Sequence, residues 1–248
     1  MTDLSLLSTK ALDTPLPHLA TGALPKLVVF DLDMTLISGD STLLWTDWLL
    51  EKGVVSGLEW HAIDREMAER YARGALDGDR ALEGYLVKRA VALRHLSVKA
   101  VDALAAEMAR VKVAPLARKK GLKLVAALRA ARIPMLVLSA SASFLVKPIA
   151  REVFGIEDAI ATDIVIENDH YTGRILGRAA FQEGKVERLC EHLSAKELTL
   201  KDVLFLTDSC NDLPLARVSG GIRVVNPDPL LRAEAEKNAW TVLDWVND

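Results

Sequence analysis

The second half of the chain alternates between helical patterns and short apolar runs. Three of these runs reach a polar residue at or near their end, namely Ser139, Asp208 and Asn226. The runs are PMLVLSA at 134–140, DVLFLTD at 202–208 and GIRVVN at 221–226. An earlier run, KLVVF at 26–30, is followed by Asp31. Apolar runs of this length are typical of strands buried on both faces. The stretches between them repeat apolar residues every three or four positions, as helices do. The alternation predicts an α/β fold, a Rossmann-like parallel sheet with helices on both faces.

The region from Gly57 to about Val111 has a helical pattern throughout. Apolar residues recur there at spacings of three and four, and no strand pattern interrupts them. Because this region follows the acidic end of the first predicted strand, it predicts a helical-bundle cap inserted into the sheet domain. We therefore predict that the chain is divided into a flexible N-terminal arm at 1–24, an α/β core at 25–44 and 115–248, and a helical cap at 45–114.

Two later segments predict a β-hairpin. AIATDIVIEN at 159–168 and YTGRILG at 171–177 are both rich in residues that favour strands, and Asn168-Asp169-His170 joins them. Asn and Asp are common in two-residue hairpin turns because they tolerate a positive φ. We therefore expect these two segments to pair with each other.

Composition indicates an ordinary globular protein with a small-molecule partner. The 248 residues are 50% hydrophobic and 26% charged, and the formal net charge is −3. Such a charge gives no general attraction to nucleic acid or to an anionic membrane. No apolar run approaches the roughly 18 to 20 residues of a membrane span, and the N-terminus lacks a secretory pattern. We expect a cytoplasmic protein, either a monomer or a homodimer.

Cysteine and histidine patterns favour neither a disulfide scaffold nor a zinc site. The chain has two cysteines, Cys190 and Cys210, without the spacing of metal ligands. Its five histidines include no pair four positions apart on a helix. A metal site, if the chain has one, is therefore expected to use oxygen ligands.

Polar side chains stand at the ends of the predicted strands. Asp31 and Asp33 follow the first strand, Ser139 follows the second, Asp208 ends the last long one, and Lys185 lies in the first turn of a predicted helix. Alone, such a serine is usually a helix cap and such a lysine is usually solvated. Since the carboxyl ends of parallel strands meet at one edge, where ligands bind, the five residues together predict a site.

These residue types suit phosphoryl transfer. Asp31 and Asp33 would repel each other unless a cation lay between them or one of them held a proton. One carboxylate can attack phosphorus, and a second can protonate the leaving alkoxide. Mg²⁺ would screen the charges, while a lysine and a serine would bind the phosphoryl oxygens. The set predicts Mg²⁺-dependent chemistry on a phosphate ester.

The order of the motifs resembles a known family. DLDMT at 31–35, LSAS at 138–141, GK at 184–185 and TDSCND at 207–212 are similar to the four motifs of the haloacid dehalogenase-like phosphatases. The helical insert after the first motif resembles the phosphoserine-phosphatase-like branch (subfamily IB). The resemblance implies a Mg²⁺-dependent phosphatase that works through an aspartyl phosphate.

The same resemblance implies a role for each matching residue. Asp31 would be the nucleophile and Asp33 the general acid and base. The metal ligands would be Asp31, the backbone carbonyl of Asp33, and Asp208, with Asp212 supporting them. The phosphate-binding residues would be Thr35, Ser139, Ala140, Lys185 and Asn211.

The choice of substrate depends on two further residues, Asp40 and Arg89. They resemble the acid and the cap arginine with which phosphoserine phosphatases bind the ammonium and carboxylate groups of their substrate, and a guanidinium suits a carboxylate. Simpler roles are open to both. Asp40 could only cap the following helix, and Arg89 could lie on the solvated face of an amphipathic helix.

Other functions stay open at this point. The segment VVNPDPLLRAEAEKNAW at 224–240 resembles a group of bacterial hydrolases that includes histidinol-phosphatases. Histidinol phosphate has an amine but no carboxylate, so it would use Asp40 and leave Arg89 without a partner. Phosphoserine is the favoured substrate and histidinol phosphate, or another small metabolite, is the alternative. A phosphotransferase and a non-catalytic phosphate-binding module are the remaining hypotheses.

Overall fold

A computed structural model of the chain describes residues 14–57, 59–76 and 78–246. Its strands are β1 (Leu27–Phe30), β2 (Met135–Ala142), β3 (Ala159–Thr162), β4 (Ile164–Glu167), β5 (His170–Ile175), β6 (Val203–Thr207), β7 (Gly221–Val225) and β8 (Thr241–Leu243). Its helices of six or more residues are α1 (Ser41–Glu51), α2 (Glu59–Ala72), α3 (Gly78–Leu93), α4 (Val98–Met108), α5 (Lys119–Ala130), α6 (Ser143–Phe154), α7 (Glu183–Ser194), α8 (Leu213–Val218) and α9 (Pro229–Lys237).

Six strands form one parallel sheet in the order β3-β2-β1-β6-β7-β8. Strand β1 lies in the interior, where Val29 pairs with Leu136 on one side and with Phe205 on the other. The chain leaves β1 toward β2 and β3, and it later returns to β6 on the opposite side. This reversal places a crevice outside the carboxyl ends of β1 and β6, where ligands bind in open α/β sheets. The predicted α/β fold with a parallel sheet is confirmed.

Alternate residues of the central strands face two hydrophobic layers. Val28 and Phe30 of β1 pack with α1, α4, α5 and α6 on one face, and Leu27 and Val29 pack with α7, α8 and α9 on the other. All four side chains are at most 1% exposed. A strand covered on both faces needs apolar residues at every position, which explains the uninterrupted run in the sequence.

The structure confirms the predicted turn of the hairpin, but the extent predicted for its first strand is wrong. β4 and β5 pair antiparallel, and Asn168 and Asp169 between them have positive φ angles of 48° and 63°. The segment predicted as one strand, however, splits at Asp163. Its first part, β3, joins the edge of the main sheet, and only β4 belongs to the hairpin. Strand β8 at the other edge has only three residues, and the sequence pattern did not reveal it.

The β4–β5 hairpin packs against helix α3 rather than against the main sheet. Gly173 of β5 has a φ of +80°, and a Cβ atom there would lie 2.5 Å from the carbonyl oxygen of Leu86 and 2.6 Å from the Cα of Val87. Only glycine permits this approach of strand to helix. The hairpin is therefore joined to the helical insert although 70 or more residues separate them in the chain.

We expect Gly173→Ala to destabilise the protein by on the order of 3 kcal/mol, because it adds both backbone strain and overpacking. Urea unfolding followed by circular dichroism measures this loss. Gly177→Ala is the matched control, since Gly177 also has a positive φ, +74°, but nothing lies within 4 Å of its added Cβ. Equal losses in the two variants would show that the contact with α3 contributes nothing.

The helical insert packs differently from the expected division at 45–114. Trp45 and Trp48 of α1, with Val101 and Met108 of α4, belong to the main hydrophobic cluster on the sheet. Most apolar residues of α2 and α3 form a separate cluster with Phe181 of the core and Ile175 of β5, although Leu93 at the end of α3 belongs to the main cluster. In their packing, α1 and α4 therefore contact the sheet, whereas α3 contacts the hairpin.

Part of the expected N-terminal arm contacts the core. Leu16 and Leu19 pack on the main cluster. The backbone N–H of Ala20 donates to the carbonyl of Gly220 at 3.0 Å, and Arg223 donates to the carbonyl of His18 at 2.8 Å. These contacts fix the segment around residues 16–20, which the sequence had suggested to be flexible. Residues 1–13 of the expected arm lie outside the described residues.

Candidate active site

The site begins at the sharp turn that follows β1. The backbone N–H of Asp31 donates to Leu206 of β6 at 2.9 Å, which continues the sheet by one residue, and the chain then turns through Leu32–Leu36. Met34 adopts a φ of 58°, and its carbonyl accepts a hydrogen bond from Arg118 at 3.1 Å. The turn brings the side chains of Asp31 and Asp33 to the carboxyl edge of the sheet.

Lys185 of α7 lies between two carboxylates. Its Nζ is 2.7 Å from Oδ1 of Asp31, and it is 2.7 and 2.8 Å from the two carboxylate oxygens of Asp212. Lys185 is completely buried, and Thr207 donates a further hydrogen bond of 2.6 Å to Asp212. Gly184 precedes the lysine because a Cβ there would collide with the carbonyl oxygen of Ala179. The lysine thus fixes one oxygen of Asp31 and leaves the other available.

Burial and neighbouring charges shift the pKa values of this group. Burial, together with the charges of Asp212 and Asp33, raises the pKa of Asp31 to about 7, although Lys185 opposes the rise. Burial disfavours the charged form of Lys185, but the carboxylates of Asp212 and Asp31 outweigh it and raise the lysine's pKa. The ammonium group is therefore retained in the interior, beside carboxylates that it partly neutralises.

Asp33 accepts hydrogen bonds from three donors. Its Oδ1 accepts from the backbone N–H of Ser41 at 2.7 Å, and its Oδ2 accepts from the hydroxyls of Ser141 at 2.8 Å and Ser139 at 3.3 Å. Burial raises the pKa of Asp33, and these hydrogen bonds oppose the rise. Ser139, expected to bind phosphate, therefore contacts the expected acid and base. Ser141 was missed because a second serine after a strand has no distinguishing pattern.

Asp208 at the end of β6 accepts a hydrogen bond of 2.9 Å from Thr35 in the turn after β1. Burial and the charge of Asp31 raise the pKa of Asp208 well above its usual value. The two acids thus lie close enough for one to disfavour ionisation of the other, and a divalent cation would relieve this repulsion.

The described residues contain no group of three or more His, Cys, Asp or Glu side chains arranged to hold a metal ion. The expected ligand set is of another kind, because it has two carboxylate side chains, Asp31 and Asp208, and one backbone carbonyl. Hard oxygen donors from one or two carboxylates, completed by substrate oxygens and water, are what Mg²⁺ prefers. The donor set and the mutual repulsion of its acids therefore fit Mg²⁺.

Asp40 has the capping role that the sequence left open to it. Its Oδ1 accepts from the backbone N–H groups of Thr42 and Leu43 at 2.8 and 3.1 Å, so Asp40 caps α1. The residue also lines the pocket described below. Burial and the charge of Asp33 raise the pKa of its carboxyl to about 7.

Arg89 does not lie on a solvated helix face. It is 8% exposed, and its Nη1 donates to both carboxylate oxygens of Asp64 on α2, at 2.8 and 3.0 Å. The arginine lines the same pocket as Asp40. Asp64 was not considered from the sequence, because an acid on an amphipathic helix is usually solvated. The arginine expected to meet a substrate carboxylate therefore already binds a carboxylate of the protein.

A cavity of about 480 Å³ joins these side chains. Asp31, Asp33 and Asp208 line it on the side of the sheet, and α2, α3 and the hairpin line it on the other. Most of its wall is apolar or aromatic. The aromatic residues among its lining are Trp45, Tyr71, Tyr85, Phe144 and Tyr171. Such a cavity suits a small ligand with a phosphate at one end and an apolar or aromatic body.

Asn211, expected near the phosphate, joins the sheet domain to α2. Its Nδ2 donates to the carbonyl of Tyr71 at 2.8 Å and to the hydroxyl of Ser209 at 3.2 Å. Thr35, Lys185 and Asn211 lie behind the residues that line the cavity, whereas Ser139 and Ala140 are part of its wall. The structure thus brings all the motif residues together but places only some of them at the surface that a ligand would touch.

Comparison with known proteins agrees with the motifs. A profile of the family described as haloacid dehalogenase-like hydrolase matches residues 28–217. A protein named histidinol-phosphatase from Neisseria meningitidis serogroup C is 33% identical over 223 residues, which are 88% of this chain and 98% of that protein.

Solved structures share the fold. A protein of unknown function from Bordetella pertussis Tohama I has a TM-score of 0.78 and 34% identity, covering 88% of this chain and 98% of that chain. A substrate-bound phosphoserine phosphatase has a TM-score of 0.62 at 18% identity, covering 88% and 92%. At that identity the second similarity concerns the fold alone.

Proposed function

Because this chain belongs to the haloacid dehalogenase-like hydrolases, we propose that it is a Mg²⁺-dependent phosphatase. Its substrate is a small phosphorylated metabolite, and the reaction proceeds through an aspartyl phosphate on Asp31. The observation that carries this proposal is the position of Asp31, which lines an enclosed cavity while Lys185 holds one of its two oxygens at 2.7 Å.

Asp31 is the nucleophile of the first step. Lys185 binds Oδ1, so Oδ2 is the oxygen that attacks phosphorus and forms the acyl phosphate. The bond from phosphorus to the leaving oxygen breaks, and that oxygen takes a proton from the carboxyl group of Asp33. In the second step Asp33 accepts a proton from the water that attacks phosphorus, and Asp31 is regenerated.

The serines orient Asp33 for this proton transfer. The hydroxyls of Ser139 and Ser141 and the N–H of Ser41 hold both carboxylate oxygens in place. Ser139 and Ala140 also line the cavity, where the neighbouring backbone can bind a phosphoryl oxygen, and the Ser139 hydroxyl can do so in place of its hydrogen bond to Asp33. Thr35, Asn211 and Asp212 act one layer further out, because their side chains bind Asp208, Tyr71 and Lys185.

Mg²⁺ would be held by Asp31, Asp208 and the backbone carbonyl of Asp33. When bound, it supplies charge that lets an anionic carboxylate approach an anionic phosphate. The protein contributes the positions of its acids, since Thr35 orients Asp208 and Lys185 orients Asp31.

Helices α2 and α3 and the β4–β5 hairpin form the cap of this enzyme. They carry the wall of the cavity opposite the catalytic acids, so they contact the leaving group and not the phosphate. Exclusion of bulk water by such a cap favours transfer within the closed site.

The substrate that these features support best is histidinol phosphate or a close relative. Asp40 can bind the amine of the leaving group with the oxygen not used in capping, and the aromatic wall suits a planar ring. The extensive similarity to a protein named histidinol-phosphatase supports the same choice. Phosphoserine is the second candidate, favoured by one observation, the presence of Arg89 in the wall of the cavity.

Phosphate release from histidinol phosphate, phosphoserine and p-nitrophenyl phosphate tests the proposal. With Mg²⁺ present we expect turnover, with histidinol phosphate showing the highest kcat/KM. An excess of a chelator should stop the reaction, and added Mg²⁺ should restore it. Without the cation, the negative charges of Asp31 and Asp208 would repel the phosphate. The measurement is a colorimetric assay for inorganic phosphate over a range of free Mg²⁺.

Two controls complete this test. Full activity in chelator would contradict the role of the metal, and no turnover of any ester would contradict the phosphatase assignment. Addition of acceptor alcohols separates hydrolysis from phosphotransfer, because a phosphotransferase would convert part of the released phosphate into a new ester.

A further inference from the structure

The cap contains a buried ion pair that faces the leaving group. Arg89 of α3 donates through Nη1 to both oxygens of Asp64 on α2, at 2.8 and 3.0 Å. The side chains are 9% and 1% exposed, and both residues line the catalytic cavity. We call these two residues the Asp64–Arg89 pair.

Asp64 is held by more than the arginine. The hydroxyl of Tyr85 donates to its Oδ1 at 2.7 Å, and the hydroxyl of Thr46 donates to its Oδ2. Each oxygen therefore accepts from Arg89 and from one hydroxyl. A carboxylate with two donors on each oxygen is fixed in place and cannot turn away to release the guanidinium.

The arginine retains one unused donor. Its Nη2 is buried and has no hydrogen-bond partner within the described ranges 14–57, 59–76 and 78–246. A buried donor without a hydrogen-bond partner carries a free-energy cost. Arg89 lines the cavity, and an acceptor atom of a bound leaving group that reached Nη2 would remove this cost.

Charge decides which acceptor fits. The Asp64–Arg89 pair is neutral as a unit, so a ligand carboxylate at Nη2 would be the second anion on a single cation. Asp33, Asp40 and Asp208 line the same cavity and add to the repulsion. An uncharged acceptor, such as a heteroaromatic nitrogen or a hydroxyl oxygen, takes the hydrogen bond without this penalty.

We propose that the Asp64–Arg89 pair selects phosphate esters whose leaving group carries an uncharged hydrogen-bond acceptor and rejects those that carry a carboxylate. Asp64 is the residue that determines this specificity, because it converts an arginine suited to carboxylates into a neutral donor. The proposal rests on the phosphatase function proposed above and specifies the chemistry of its leaving-group site.

Two esters that differ only in a carboxylate test this inference. Phosphoserine and phosphoethanolamine share the phosphate, the two-carbon chain and the amine. We expect the wild-type kcat/KM for phosphoserine to be no higher than that for phosphoethanolamine. Asp64→Asn keeps the shape but frees the charge of Arg89, so the ratio of phosphoserine to phosphoethanolamine should rise at least about tenfold. The double variant Asp64→Asn with Arg89→Gln should lose that gain.

A third ester tests the retained donor directly. Arg89→Gln should lower kcat/KM for histidinol phosphate about tenfold relative to phosphoethanolamine, which has no uncharged acceptor beyond the ester. Asp47→Asn is the matched control for charge, because Asp47 is an exposed acid of α1 that pairs with His61 outside the catalytic cavity. It should leave both ratios unchanged.

Distinct results would overturn the inference. A wild-type enzyme that prefers phosphoserine about tenfold, and loses the preference in Arg89→Gln, would show that Arg89 binds carboxylates despite Asp64. A folded Asp64→Asn protein with an unchanged ratio of kcat/KM for phosphoserine to that for phosphoethanolamine would also overturn the inference. If that variant does not fold, the ratio measured with the wild type decides. If no ester is turned over, the phosphatase proposal fails. The dissociation constants of phosphoserine and phosphoethanolamine, measured by calorimetry with the Asp31→Asn variant, then test the Asp64–Arg89 pair separately.

Discussion

Asp31→Asn is expected to reduce phosphate release by at least about a thousandfold, because the amide keeps the shape of the side chain and removes its nucleophilic charge. Burial already raises the pKa of Asp31 to about 7, so a neutral group at this position carries little desolvation cost. We therefore expect the variant to fold normally, with a melting temperature within a few degrees of the wild type. Rapid acid quenching should trap a phosphorylated protein from the wild type and none from the variant.

Asp47→Asn is again the control, since it removes one exposed carboxylate that is not part of the cavity lining and should retain wild-type kcat/KM. Preparing the three proteins in parallel also reveals contaminating phosphatases, which would release phosphate equally in all samples. An Asp31→Asn enzyme that kept most of its activity would disprove the covalent mechanism.

Lys185→Met is expected to lower the free energy of unfolding by roughly 3 to 5 kcal/mol, as well as abolishing activity. The lysine is completely buried, and its Nζ lies 2.7 Å from both Asp31 and Asp212. Its removal leaves two carboxylates in the interior without a cation. Urea unfolding in a chelating buffer measures the loss while preventing another cation from occupying the position.

Lys147→Met is the matched control for this variant. Lys147 also pairs with an aspartate, Asp163 at 3.4 Å, but its side chain is 58% exposed. Pairs of this kind contribute little, so we expect a change within about 0.5 kcal/mol. If the two methionine variants were equally stable, the contacts of Lys185 would have no net effect on folding.

The sheet and the cluster of motif residues could be predicted from the sequence because both depend on local patterns. A strand buried on both faces needs an unbroken apolar run, and the acid that follows it must lie at the edge of the sheet. This placement brings Asp31 and Lys185 into contact although 154 positions separate them. No knowledge of the loops between them was needed.

The lining of the cavity could not be predicted in the same way, since it depends on side-chain contacts between helices, such as the one between Asp64 of α2 and Arg89 of α3. The residues before and after Asp64 in α2 have the polar pattern of a solvent-exposed helix. Nothing in the local sequence indicates that Arg89 faces Asp64. Ser141 and Tyr85 raise the same difficulty, because hydroxyl groups occur freely in strands, loops and helices. The division of the insert was also hidden, since Gly173 does not indicate by itself that β5 approaches α3.

The contact between Gly173 and α3 also bears on the order in which the protein acquires its structure. During synthesis, helix α3 is complete long before residue 173 has been made, so its hairpin-facing side has no partner for the time in which some 80 further residues are added. Closing a contact of such high sequence separation is slow relative to forming the helices themselves. This wall of the cavity is consequently completed well after the helices that contribute to it have formed.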